Sequence, residues 1–300
     1  MSSTGLVIGA YPVYGTSAEV AAACVAALAP RPDVSGLELP YGPAGIVIPD
    51  GCPEGWRHVV TCIGDTMVRM GADPLVGLAS PDAVGRRTAV DVIAGLRDLV
   101  EAAGTIAAIE IHSGPREIAS GAALAESLEE IVSWDWGTTR LLLEHCDRWR
   151  GDLPVQKGFL SVADELAALA MVGGKVDLCI NWARSVIESR DVATAAEHVA
   201  AAAAAGRLGG IMFSSVADAD SAYGAAWADA HLPPAGTGAA GDASLLTEEL
   251  VRETLAAAGD SLAGAIVGLK IGVQPADRPT EGRIGHLLET VDLIARSLPR

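Results

Sequence analysis

The residues able to do chemistry stand at the ends of apolar runs. Glu144 and His145 close the stretch LLLEHCD at 141–147, whose three leucines read as buried strand. Glu110 and His112 lie two apart in IEIH, so on a strand their side chains share one face. Glu38 precedes Pro40 and Tyr41; Asn181, Trp182 and Arg184 follow another run; Ser214 ends a further one, with Asp229 and His231 in the loop beyond it. Lys270 sits between Val-Gly-Leu and Ile-Gly-Val. A carboxylate beside an imidazole can transfer protons or hold a divalent cation. A lysine in apolar surroundings is either an ion-pair partner or an amine of lowered pKa able to attack a carbonyl. A buried Glu110 needs a partner, and His112 or Lys270 could supply it. Each group also has a plainer role: Glu38 bonding loop amides, His112 a satisfied core histidine, Lys270 a structural cation. Because sides alternate along a strand, His145 is expected to face the helix layer if Glu144 points inward. His58 and His198 read as surface or helix-packing residues. Ser113 beside His112 has no G-x-S-x-G elbow, so a serine nucleophile gains no support.

Those groups need elements to hold them. Eight short apolar runs occur at 6–10, 36–39, 58–63, 106–112, 140–144, 176–181, 210–214 and 266–271. Their continuous rather than alternating hydrophobicity fits strands covered on both faces. Helical patterns lie between them. One covers 18–28 behind a Thr16/Glu19 capping box; another opens at Ser80-Pro81 and runs to Ala103 before Gly104; others cover 161–170, 192–205, 245–258 and 282–298. Alternating units of this kind over 300 residues predict an α/β fold, a (β/α)8 TIM barrel forming a single domain over 1–300. An open doubly wound sheet would want a glycine-rich loop after the first strand, where the chain has Tyr-Pro-Val-Tyr-Gly. In a barrel the reactive groups stand at the carboxyl ends of the strands, which is where these residues fall. The tract PPAGTGAAGD at 233–242 reads as an active-site loop.

Composition narrows the function classes. Asp and Glu number 38 against 21 Lys and Arg, a net charge of −17 with no basic cluster, so nucleic acid and anionic membranes are poor partners. Five cysteines without a C-x-x-C pair, and no charged-then-apolar leader, suggest a reduced, cytoplasmic protein.

In series, the motifs ELPY, IHSGP, LLLEH and WADAHLPPAGTG resemble the xylose isomerase-like TIM barrels, the superfamily of sugar isomerases, epimerases, inosose dehydratases and endonuclease IV. The resemblance covers most of the chain from the second strand onward and points to an uncharacterised bacterial branch. It implies a small-molecule carbohydrate substrate and a homodimer. It also implies a divalent metal (Mn, Co, Zn or Mg) on Glu144, His112, Asp229 and His231. Three positions depart from the pattern. Asn181-Trp-Ala-Arg184 stands where Asp-x-x-His is usual, Ser214-Ser215 where a histidine is usual, and Lys270 where a glutamate ligand is usual. A protonated ammonium cannot ligate a metal, and a guanidinium does not. Lys270 and Arg184 could instead supply the positive charge. The expected activity is proton transfer next to a carbonyl on a sugar or sugar acid. Glu144, Glu110, His112 and Lys270 would be catalytic; Glu38, Tyr41, Asn181, Trp182, Arg184 and Ser214 would bind substrate. The alternatives are a metal-independent, aldolase-like Schiff-base lyase using Lys270, and a barrel that binds sugar without turnover.

Overall fold

A computed structural model describes residues 5–238 and 243–299; the last four residues of the tract at 233–242 lie outside the described residues. All eight apolar runs form strands: β1 (Leu6–Gly9), β2 (Val34–Gly42), β4 (His58–Thr61), β5 (Ile106–Ile111), β6 (Arg140–His145), β7 (Val176–Asn181), β8 (Leu208–Phe213) and β9 (Ile266–Lys270). Each pairs in parallel with its neighbour, and β1 pairs with both β2 and β9, which closes the barrel. A two-residue strand, β3 (Gly45–Ile46), turns back antiparallel on β2.

The helices are α1 (Tyr11–Tyr14), α2 (Ala18–Leu28), α3 (Ile63–Ala72), α4 (Ala83–Ala103), α5 (Gly121–Ile131), α6 (Val162–Met171), α7 (Trp182–Ser189), α8 (Thr194–Ala204), α9 (Glu248–Ala257) and α10 (Thr280–Ser297). Two caps are not those the sequence suggested. Ser17 rather than Thr16 accepts from the Val20 N–H, and Asp82 rather than Ser80 caps α4 by accepting from Gly85 N. In both cases the better-placed oxygen lies closer to the first helical turn. Helices α1, α3, α5 and α7 carry weak sequence signals. The last of them begins with no loop at all: Asn181 ends β7 and its side chain caps α7 by accepting from Arg184 N at 3.3 Å. Among the described residues, no helix is long and apolar enough to cross a membrane.

The barrel interior is layered. Val7, Val59, Ala108, Leu142, Cys179 and Met212 form an apolar plug. Two residues further along the same strands, and so on the same inward face, stand Gly9, Thr61, Glu110, Glu144, Asn181 and Ser214. The intervening residues face outward into the main core beneath the helices, Leu143 and Ile180 among them. Gly9 leaves room that a side chain would not: a Cβ there would lie 2.5 Å from Glu38 Oε2.

A candidate active centre at the carboxyl end of the barrel

Glu144 is the hub of the polar layer. Its Oε2 receives Arg184 Nη1 at 2.6 Å and His112 Nε2 at 2.8 Å. Its Oε1 receives Asn181 Nδ2 at 3.0 Å and lies 3.4 Å from Lys270 Nζ. Lys270 reaches the other way to Glu38 Oε1 at 2.6 Å. Glu110 lies below, accepting from Cys179 Sγ at 3.5 Å. Asn181 is fixed in turn by Ser214, whose hydroxyl donates to Asn181 Oδ1 at 3.4 Å. Strands β2, β5, β6, β7 and β9 thus converge on one point, the residue following β8 completes it, and Arg184 arrives from the first turn of α7.

Water is excluded from this cluster, so each charge depends on its neighbours. The side chains of Glu38, Glu144, His112 and Lys270 are fully buried. Three carboxylic acids, Glu38, Glu110 and Glu144, face two cations, Lys270 and Arg184. One acid must stay protonated for the group to be neutral, since an unpaired buried charge is costly. Glu110 is that acid: burial, then the charges of Glu144 and Glu38, raise its pKa well above the usual carboxylate range. Burial also raises Glu38, against the pull of Lys270. Glu144 goes the other way. Burial pushes it up, but Arg184 and Lys270 hold it well below the usual range. His112 is lowered to about 4 by burial and is therefore neutral, with Nε2–H donating to Glu144.

Lys270 corrects one expectation. Burial pulls its pKa down, but Glu144 and Glu38 raise it well above that of a free lysine. It is a fixed ammonium, not the depressed amine that a Schiff base requires.

The metal set expected on Glu144, His112, Asp229 and His231 is not assembled. Asp229 Oδ2 takes Lys157 Nζ at 2.6 Å and Arg184 Nε at 3.1 Å, and His231 Nδ1 lies 3.4 Å from Asp229 Oδ1. Among the described residues, two groups of three ligands have their atoms within 4.8 Å of one another: Glu38, Glu110 and Glu144, and His145, Glu188 and His198. In the first, Lys270 lies against Glu38 and Glu144, and Arg184 pairs with Glu144 from its other oxygen. These donors do not fit a divalent cation at Glu144, because two cationic side chains occupy the place it would take.

Other expected residues are placed differently. Trp182 packs in the main core beneath the helices and presents no face to a sugar. Tyr41 lies beside the centre rather than in it, lining an open cleft of about 720 Å³ with Tyr11, Tyr14, Pro43 and Val47. Asp229 and His231 close the mouth: His231 has φ 53° and Trp227 φ 64°, both left-handed, and Arg190 lies 4.6 Å over the Trp227 ring.

Three contributors escaped the sequence reading. Tyr11 stands two residues past the end of β1 and feels the charges of Lys270 and Glu38; its position near a strand end was the available signal. Lys157 comes from a distant loop with no signal at all. Cys146 Sγ lies 3.4 Å from Arg184 Nη1.

The outward neighbour of Glu144 builds a second cluster. His145 Nδ1 pairs with Glu165 Oε2 at 2.8 Å and Nε2 with Glu188 Oε2 at 3.1 Å, so it faces the helix layer as expected. Burial disfavours its charge, yet Glu165 and Glu188 push its pKa up to about 10. His198 packs edge-on against it, ring centroids 5.0 Å apart. His58 is not a surface residue: it is buried at the base of β4 and its Nδ1 accepts from Leu37 N at 3.2 Å.

Comparison with known proteins agrees with this architecture. The structure resembles that of the IolI protein with a bound zinc atom (TM-score 0.63, 12% identity, covering 99% of this chain and 100% of that one). It also resembles a xylose isomerase domain containing protein of Salmonella typhimurium (TM-score 0.60, 11% identity, 98% of each chain). A candidate sugar phosphate isomerase/epimerase of Anabaena variabilis matches with a TM-score of 0.57 and 13% identity over 94% of this chain and 88% of that one. The fold is therefore that of the xylose isomerase-like TIM barrels. In sequence, "Uncharacterized protein STM3670" of Salmonella typhimurium is 34% identical over 318 residues, covering 100% of this chain and 99% of that one. The family described as Domain of unknown function (DUF4862) matches residues 7–286, and the chain belongs to it.

Proposed function

We propose that the chain catalyses proton transfer at a carbon next to a carbonyl on a sugar or sugar acid, as an isomerase or epimerase that draws its positive charge from Lys270 and Arg184. One observation carries this reading. His112 Nδ1 is buried without a hydrogen-bond partner, beside the fixed cations Lys270 and Arg184 and beside Glu38 and Glu110, which share a proton. Buried polar atoms are nearly always paired, so such a group marks where a polar ligand completes the set.

The roles follow from the charges. Removing a proton beside a carbonyl places negative charge on the carbonyl oxygen, and Lys270 and Arg184 stabilise it in a dry site. Glu38, a carboxylate of raised pKa, takes the proton from carbon, and protonated Glu110 can return one. Neutral His112 offers its Nδ1 lone pair to a sugar hydroxyl. Glu144 is too acidic to act as a base; it keeps the two cations charged and in place. Asn181 and Ser214 orient Glu144. The Asp229–His231 segment must move to admit substrate, with the Tyr11–Tyr41 cleft alongside as the approach. The divalent metal that the resemblance implies has no counterpart among these donors.

Solvent-deuterium incorporation tests the reading. A panel of ketoses, aldoses, uronic acids and sugar phosphates is incubated with the chain in D2O and followed by proton NMR. The expected result is deuterium at the carbon next to the carbonyl of at least one sugar class, lost in Glu38→Gln. Ligand-dependent thermal stabilisation without any exchange would replace catalysis by sugar binding alone.

A further inference from the structure

We propose that His145, Glu188 and His198 form a second, separate site for a divalent cation of the zinc class, outside the barrel wall between β6 and the helices α7 and α8. One ligand atom from each residue lies within 4.8 Å of the other two. His145 Nε2 is 3.1 Å from Glu188 Oε2, and His198 Nε2 is 3.9 Å from Glu188 Oε1. At metal–ligand distances of about 2.0–2.2 Å, a tetrahedral site spaces its ligand atoms about 3.3 Å apart. The same geometry places two ligating imidazole rings about 5 Å apart, and these rings are 5.0 Å apart at an interplanar angle of 88°.

The surroundings have the form of a metal site's outer layer. Ligating histidines nearly always engage their other ring nitrogen with a carboxylate, carbonyl or similar acceptor, which fixes the tautomer and the ring plane. Here His145 Nδ1 is held by Glu165 Oε2 at 2.8 Å, and His198 Nδ1 by Ser185 Oγ at 3.0 Å. Glu165 is anchored further by the Ser113 hydroxyl at 2.5 Å. Arg148 orients Glu188, its backbone N–H on one oxygen at 2.9 Å and its Nε near the other at 3.1 Å. Both imidazoles therefore turn Nε2 toward the Glu188 carboxylate. In the metal-free chain, the proton between His145 and Glu188 occupies the place the cation would take.

Two imidazoles and one carboxylate suit zinc or cobalt better than magnesium or calcium, which prefer all-oxygen sets. Three protein ligands leave a fourth position open to water. The side chains of His198 and Glu188 are 15% and 7% exposed, so the cation can reach the site from the helix side without passing through the barrel.

The test is titration of the chelator-treated full chain with Co(II) alone, then competition with Zn(II). About one Co(II) per chain is expected, with the strong visible absorption of a tetrahedral ion. His198→Gln, which keeps a polar side chain of similar length on the surface of α8, should remove that signal. Ser185→Ala should weaken affinity about 10–100-fold. Glu144→Gln should leave the signal in place, because that carboxylate faces the barrel interior. Absence of binding at millimolar Co(II), or a signal that survives His198→Gln and disappears in Glu144→Gln, would overturn the proposal.

Discussion

Glu144 and His145 are neighbours in sequence but belong to two different machines. Glu144 points into the barrel and gathers Lys270, Arg184, His112 and Asn181. His145 points outward and gathers Glu165 and Glu188, with His198 alongside. Strand alternation alone separates them. The difference lies in what remains unpaired. In the inner cluster, Glu38 and Glu110 share a proton, and the Nδ1 of His112 has no hydrogen-bond partner. In the outer cluster, both ring nitrogens of His145 and both oxygens of Glu188 are engaged. A site poised for a substrate keeps polar atoms free; a cluster that joins strand to helices, or closes around a small ion, uses them all.

The sharpest way to break this contrast is to substitute each neighbour in turn. Glu144→Gln leaves Lys270 and Arg184 without their shared counter-charge. It should cost about 3–5 kcal/mol of stability, as removal of one buried ion-pair partner does, and abolish exchange. A hub with four buried partners supports the fold as well as the site. His145→Gln should cost less, about 1–3 kcal/mol, because Arg148 still compensates Glu188; exchange per folded molecule should persist. Urea unfolding and the NMR assay on both variants decide this. Equal loss of exchange in the two would merge the clusters into one functional unit.

Gly9→Ala perturbs the inner cluster alone. The new methyl would meet Glu38 Oε2 at 2.5 Å. Displacing that carboxylate should destabilise by about 1–3 kcal/mol and slow exchange, while Co(II) binding at the outer site stays intact.

Acid should act on buried neutral histidines in both clusters and at the barrel base. Burial lowers His112, His231 and His58 to about 4 and His198 to about 3. Unfolding returns each to about 6.5, so the unfolded chain binds more protons between these values and stability falls as pH drops from about 6.5 to 4. Melting temperature against pH should show that decline, and His58→Gln should shallow it without touching exchange.

The smallest expected effect is at the closing segment. Lys157→Met removes one of the two cations on Asp229, leaving Arg184. Amide exchange around Asp229 should quicken modestly, with little change in global stability.

The eight strands were legible because buried parallel strands must be continuously apolar, and six of the runs carry a polar group at or near their carboxyl end. The same logic found Glu38, Glu110, His112, Glu144 and Lys270 together. It could not find Lys157, which crosses from a loop 72 positions away from Asp229, because ion pairs between loops leave no periodic trace. Trp182 was misplaced for a related reason: an aromatic just after a strand end can face the mouth or the helix layer, and the immediate start of α7 turns it outward. The ligand set suggested by resemblance failed at Asp229 and His231 because neighbouring cations, not sequence order, decide what those side chains can bind.

The most direct test of the central claim is the deuterium-exchange rate of the chelator-treated chain, compared with that of the untreated chain, on whichever sugar class responds. If Lys270 and Arg184 supply the positive charge, the rate per folded molecule is unchanged by chelation and vanishes in Lys270→Met. Exchange that stops on chelation and returns with added metal, or that survives Lys270→Met, would contradict a reaction driven by fixed side-chain cations.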